Sequence, residues 1–438
     1  MPEATADAED GPAFRATRGA AHQAVVEAVA RAHRDHWGAV LAATVRLVRD
    51  LDTAEECVQD AYAQALRTWP ATAVPDHPEA WLKTVARNRA RDLLRRESAW
   101  RRALPLLVEE DLTPDPQDAD EPPFVPDDML RLVFTCCHPA LSRDARVALT
   151  LRLVCGLSTA EVARAFLVQE STMAARITRA KKKIATARIP YRVPDAADLP
   201  ERLSAVCEVV LLVFTTGENA PVGPVLVRDD LVACALHLAR TLHRLLPEAT
   251  EPTGLLALLV LIDARRRTRV DAEGRPVLLA DQDRSRWDRD RIAEGVELLD
   301  QALRAGPPTR YAVQAAVAAV HAEAPTFEAT DWSEIVGLYD LLLRLWPTPV
   351  VELNRAVALG MRDGPQAGLD ALESLATEPA LATYRYLSAT RADFLRRLTR
   401  WPEAATAYEE ALLLSDNDAE RGFLEGRLRE ARGHIAEQ

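Results

Sequence analysis

Apolar residues recur at three- and four-residue spacing along most of this chain, and each such stretch predicts a helix buried on one face. A helix beginning at Asp52 carries Ala54, Cys57, Val58, Ala61, Tyr62, Ala65, Leu66 and Trp69 at that spacing, with Glu55 placed to close a capping interaction. Its opposite face is Glu55, Glu56, Gln59 and Asp60, a solvated surface unless a basic partner covers it. A loop with Pro70, Pro75 and Pro78 follows, and a helix starts at Pro78, where proline suits the first turn. There Leu82, Val85, Ala86 and Leu93 face a core, while Arg87, Arg91 and Arg95 fall four residues apart as a cationic stripe. Further on, Met129–Cys137 and Ser142–Cys155 read as amphipathic helices. Ser158 and Glu161 then form an S-x-x-E capping box opening a short helix, Leu167–Gln169 make a turn, and Ser171–Ala187 form a second helix. Ala163, Val168, Met173, Ile177 and Ile184 pack that pair, leaving Ser171, Thr172, Ala175, Arg176, Arg179 and Lys183 outward. This is helix-turn-helix patterning, whose second helix enters the DNA major groove.

From about Pro200 the chain is helical again, with apolar segments at Leu203–Phe214, Leu231–Leu246, Leu255–Ala264, Ile292–Ala305 and Tyr311–Ala322. Helix pairs recur from Asp331. In the pair Tyr384–Leu414, the residues Ala392, Leu395, Ala404, Tyr408 and Ala411 occupy the spacing of a tetratricopeptide repeat. Stacked pairs of that kind build a concave surface suited to a protein or peptide partner.

The chain has 438 residues, 48% hydrophobic, 27% charged and only 5% aromatic. That length predicts several folding units, and the abundance of Ala, Leu and Arg predicts an all-α protein. The net charge of −12 argues against a protein that coats nucleic acid with its whole surface. Local patches differ: 81–105 carries Lys83, Arg87, Arg89, Arg91, Arg95, Arg96, Arg101 and Arg102 against only Asp92 and Glu97, and 171–194 has only basic charges. Between them, LLVEEDLTPDPQDADEPPFVPDD holds nine carboxylates and five prolines and reads as an extended linker. No apolar run reaches the length of a membrane span, and the acidic N-terminus lacks the pattern of a secretory signal, which predicts a cytoplasmic protein. Cys136, Cys137 and His138 are adjacent without a second ligand pair at zinc spacing, so they read as helix core and no metal is expected. No P-loop, GxGxxG, HExxH or GxSxG motif is present, no cofactor is expected, and the chain does not read as an enzyme. The polar run Asp281, Gln282, Asp283, Arg284, Ser285, Arg286, Trp287, Asp288 reads as an ion-pair network tying a loop to a helix start.

These elements together resemble an extracytoplasmic-function sigma factor, the bacterial class that keeps only sigma regions 2 and 4. DTAEECVQDAYAQAL is similar to region 2.2, HPEAWLKTVARNRARDLLRR to regions 2.3 and 2.4, and LSTAEVARAFLVQESTMAARITRAKKKI to region 4. With FTCCHPALS, the DQDRSRW segment and the repeat-like tail, the whole chain resembles the subgroup bearing a C-terminal tetratricopeptide-like extension. The resemblance implies that Glu55, Glu56, Gln59 and Asp60 face the clamp helices of the polymerase β′ subunit, with region 4 at the β flap. It implies that Lys83, Arg87, Asn88, Arg91, Arg95 and Arg96 hold the melted minus-10 element, and that Ser171, Thr172, Ala175, Arg176, Arg179 and Lys183 read the minus-35 duplex. The acidic linker would thread the RNA exit channel. Two positions depart from the pattern: Ala174 stands where many members carry a basic residue, and FTTGENA at Phe214–Ala220 replaces an FNEGY-like run.

The expected organisation is an unstructured lead-in over 1–20, region 2 over 21–104, the linker over 105–127, region 4 over 128–190, a helical extension over 198–330 and repeats over 331–434. The expected partners are core RNA polymerase, promoter DNA and a protein or peptide on the repeats, with regulation through the extension and no membrane. The alternative is a helix-turn-helix activator with a repeat-type sensor domain, which leaves the acidic helix, the Arg stripe and the linker without a role.

Overall fold

The computed structural model describes residues 12–103, 126–166 and 168–437. Among them the chain is all-α, with one pair of two-residue strands, and it divides at Arg202 into two compact units.

In the first unit α1 (Pro12–Val48), α2 (Leu51–Thr72) and α3 (Pro78–Ala103) pack on one another. Their apolar stripes supply a core of Trp37, Leu41, Val58, Trp69, Leu82 and Ala86. Residues 12–20, expected in the unstructured lead-in, belong to α1; residues 1–11 lie outside the described residues. Helix α2 is capped by Asp50, whose Oδ1 accepts from the Thr53 N–H at 2.7 Å, so Glu55 is not the capping group. The helix continues through Pro70 to Thr72, leaving only Pro75 of the three prolines in the loop itself. Leu66 is 41% exposed, at the margin of the buried stripe.

Residues 104–125, which hold nearly all of the expected linker, lie outside the described residues. α4 (Pro126–Cys136) packs on α1, and α5 (Arg143–Leu149), capped by Ser142, runs into one π-helical turn, Thr150–Val154. The expected single helix over Ser142–Cys155 is thus two elements. α6 (Thr159–Phe166) and α7 (Glu170–Thr186) follow, joined through Leu167, which lies outside the described residues. Met173, Ile177 and Ile184 of α7 are buried, as the spacing predicts. Gly38 lets α1 approach closely: a Cβ there would stand 2.5 Å from the Val154 carbonyl oxygen and 2.7 Å from Met129 Cε. Cys136 and Cys137 are core, and burial pushes the Cys137 thiol up to about 11.

The second unit opens on α8 (Leu199–Glu218), followed by β1 (Val222–Gly223), α9 (Asp229–Leu245) and α10 (Thr250–Asp263). α10 is apolar on every side and is enclosed by α9, α11 (Arg289–Ala305) and α12 (Arg310–Glu323). Then α13 (Trp332–Leu345), α14 (Pro349–Arg362), α15 (Pro365–Glu373), α16 (Arg385–Arg397) and α17 (Trp401–Leu413) each pack on the next. Ala392, Ala404 and Ala411 are fully buried between α16 and α17, where small side chains let the helices approach. β2 (Asp416–Asn417) and α18 (Asp418–Ala436) complete the chain. β1 pairs in parallel with β2, and the buried Asn417 amide donates to the carbonyls of Ala220 at 3.0 Å and Val225 at 2.9 Å. The end of the unit is thereby tied to its beginning.

Candidate functional site

The acidic face of α2 forms because the apolar stripe consumes the other side of the helix, leaving Glu55 and Gln59 on one line and Glu56 and Asp60 on the next. The structure treats these four differently. Glu56 and Gln59 are exposed, and Asp60 is held by Arg89 of α3 at 2.8 Å. Glu55 is buried, 6% exposed, and bridged by two cations: Arg152 from the π-helical turn on Oε1, and Lys181 of α7 on Oε2 at 2.6 Å. Lys181 also reaches Asp52 at 2.6 Å. Burial works against the Lys181 charge, but hydrogen bonds to Asp52 and Glu55 outweigh it and raise its pKa above the ordinary lysine value. A cleft of about 290 Å³ remains there, lined in part by Glu56, Gln59, Ala174 and Thr178. Ala174 therefore sits on the side of α7 that meets α2. Arg152 and Lys181 were not among the residues singled out from sequence. The available signal was a lysine one turn beyond Ile177, beside the buried stripe of α7 rather than on its outward face.

On α3 the cationic stripe is largely outward. Asn88, Arg91, Arg95 and Arg96 are exposed and Arg87 is half-buried. Burial lowers the Arg87 pKa, and Arg91 and Arg46 add to that by repulsion. Lys83 departs from the expectation: it is buried, 9% exposed, and bound to Glu79 at 2.5 Å. It belongs to the packing of the helix start rather than to the open stripe.

The helix-turn-helix begins with the predicted box. The Ser158 N–H and hydroxyl both donate to Glu161 Oε2 at 2.7 Å, and the Glu161 N–H donates back to Ser158 Oγ at 3.2 Å. On α7, Ser171, Thr172, Ala175, Arg179 and Lys183 are exposed along one face. Arg176 lies on the same line but is half-buried, 3.3 Å from Asp144, with its guanidinium carbon 5.5 Å from the centre of the Phe166 ring. This face can meet a duplex groove with hydroxyl donors and fixed cations, while the other side of α7 is engaged with α2.

In the second unit the 281–287 run is a hydrogen-bonded latch. Arg284 is buried and donates to the carbonyls of His321 at 2.6 Å and Ala324 at 2.8 Å, with its guanidinium 4.6 Å from the Trp287 ring. Trp287 Nε1 donates to Thr268 Oγ1 at 2.9 Å, and Gln282 donates to the Val277 carbonyl at 3.1 Å. Asp283 caps the 3-10 turn by accepting from the Ser285 N–H, while Asp281 and Arg286 are exposed. The expected tie of loop to helix start is made by Asp288, which caps α11 and pairs with Arg291 at 3.4 Å, while the rest of the run is mainly an arginine bound to backbone carbonyls. The FTTGENA run has a role as well: Glu218 pairs with Arg269 at 2.9 Å, and Asn219 Oδ1 accepts from Arg269 at 2.5 Å.

Comparison with known proteins follows the same division. Residues 32–100 match the family model for sigma-70 region 2, residues 131–184 that for sigma-70 region 4, and residues 202–303 a family of unknown function (DUF6596). An uncharacterized protein of Rhizobium meliloti (strain 1021) is 45% identical over 392 residues, covering 89% of this chain and 92% of its own. No helix among the described residues is long and apolar enough to cross a membrane.

Proposed function

The chain belongs to the sigma-70 family as an extracytoplasmic-function-like sigma factor with a C-terminal extension, and we propose that it directs core RNA polymerase to promoters with two recognition elements, under control of that extension. Core polymerase docks on the acidic face of α2 through Glu55, Glu56, Gln59 and Asp60. The melted minus-10 strand lies along Arg87, Asn88, Arg91, Arg95 and Arg96, where guanidinium groups meet phosphates and unstacked bases. The minus-35 duplex is read by Ser171, Thr172, Ala175, Arg176, Arg179 and Lys183.

The observation that carries this reading is the pairing of two exposed cationic helix faces, α3 and α7, with one acidic helix in a chain of net charge −12. A protein meeting DNA through a single duplex site has no use for the first cationic face or for the acidic one. Glu55 adds a condition. Its carboxylate is already occupied by Arg152 and Lys181, so docking through Glu55 requires both to release it, Lys181 by α7 leaving α2 and Arg152 by turning away. The arrangement is a closed form of the sigma module.

The test is run-off transcription by core polymerase from a candidate promoter, with the full chain and with a chain ending at Arg202. Initiation by the full chain supports the reading, and the shorter chain gives the sign of the extension's effect. Specific duplex binding without polymerase, together with no initiation from any promoter, refutes it in favour of an activator that binds DNA alone.

A further inference from the structure

The second unit contains a cavity of about 780 Å³, within the range that holds small organic ligands. Stacked helix pairs ordinarily leave a groove open at both ends, as an extended peptide requires. Here the Asn417 tie joins the two ends of the unit, and Pro276–Gln282 supplies a further stretch of wall. A volume of this size suits a compact molecule rather than a long peptide.

The lining combines an apolar body with unneutralised positive charge. Trp332, Tyr339 and Phe394 contribute aromatic surface. Among the arginines that line the cavity, Arg269 is paired with Glu218, Arg385 with Glu420, Arg396 with Asp393 and Arg427 with Glu430. Arg265 and Arg397 are different: among the described residues no carboxylate lies within ion-pair distance of either. The nearest partners of Arg397 are the Met361 sulfur at 3.3 Å and the Phe394 ring at 5.9 Å. Arg265 is half-buried in the cavity wall, and desolvation, reinforced by Arg269, lowers its pKa to about 10. Its closest counter-charge, Glu218, is already engaged by Arg269. A half-buried guanidinium with no carboxylate of its own gains a charge-assisted partner from an anion entering the cavity.

We propose that this cavity is a binding site for a small organic anion, an oxyanion carried on an aromatic or branched apolar body, with Arg265 as its counter-ion and Trp332, Tyr339 and Phe394 around the body. The site is independent of the transcription reading and stands if that reading fails.

The test uses the full chain and two fluorescent probes of nearly identical shape: 8-anilinonaphthalene-1-sulfonate, and N-phenyl-1-naphthylamine, which lacks the sulfonate. The expected result is one site per chain with a roughly tenfold or greater preference for the sulfonate. Arg265→Gln should abolish the preference while leaving the uncharged probe within about twofold of its original affinity. Arg397→Gln, at an exposed position, should weaken the sulfonate about threefold without changing the melting temperature, and it carries the test if Arg265→Gln does not fold. Equal affinity for the two probes, or unchanged sulfonate affinity in the folded variants, overturns the proposal. So does displacement of the sulfonate by a glutamate-rich octapeptide at lower concentration than by a naphthoate, which would assign the cavity to a peptide.

Discussion

Replacing Lys181 by alanine should strengthen binding of the chain to core polymerase, although it removes a favourable ion pair. Lys181 joins α7 to α2 through Glu55 and Asp52. The Asp52 side chain is 74% exposed, so its share is that of a surface pair, up to about 1 kcal/mol. The Glu55 contact is nearly buried, where losing one partner costs about 3–5 kcal/mol when the remaining charge is left alone. Arg152 remains on Glu55 in the variant, so the net cost falls between these limits, at about 2 kcal/mol, or roughly 30-fold in the ratio of open to closed forms. If docking needs the open form, apparent affinity rises by that factor until opening is complete. Titration of a fluorescently labelled chain with core polymerase measures it, with Lys181→Arg as the charge-conserving control that should follow the wild type. Unchanged or weaker binding by Lys181→Ala would refute the idea that α7 masks the docking face.

Three other expectations follow from the geometry. Arg176→Ala with Arg179→Ala should lower promoter occupancy by about tenfold or more, read by footprinting, and leave core binding intact; loss of core binding instead would reverse the roles given to the two faces of α7. Asn417→Ala removes the donors to two backbone carbonyls and the cap of α18, and should destabilise the second unit by about 2–4 kcal/mol in calorimetry; Asn417→Asp, which keeps the cap but sets a buried carboxylate oxygen against the two carbonyl oxygens, should cost at least as much. Burial, with repulsion from Arg265 and Arg284, lowers the His321 pKa to about 4 from an ordinary 6.5. The unfolded state therefore binds the proton first, so stability is full above about pH 6.5 and declines as pH falls towards 4, by at most about 3 kcal/mol; His321→Gln should flatten that part of the profile.

What the sequence disclosed was local. Ser158 and Glu161 stand three residues apart and close their box from covalent proximity alone, and the buried stripe of α2 follows from helical period, as does the outward line of Arg91 and Arg95. Glu55 shows where such reading stops. Its type and position suit a capping or a solvated residue equally, and its actual partners lie in other elements, with Lys181 126 residues away. Lys83 failed for a related reason: periodicity places it on the arginine stripe, but Glu79 one turn earlier draws it into the helix start. In the 281–287 run the charges were visible, whereas the acceptors of Arg284 are backbone carbonyls that no side-chain pattern records. Pro70 stayed helical because a proline near a helix end forfeits only one intrahelical bond, a loss the packing of Trp69 beside it outweighs.

The short parallel strand pair has a consequence for how the protein is made. Asn417 and Ala220 are 197 residues apart, so a growing chain can form the bond between them only after all the helices in between have been made. A polypeptide ending before Asp416 would carry the helices α1 to α17 but not the strand pair and the Asn417 bonds that tie the end of the second unit to its beginning. The strand pair is thus a record, written into the fold, that every helix between its two ends has been made.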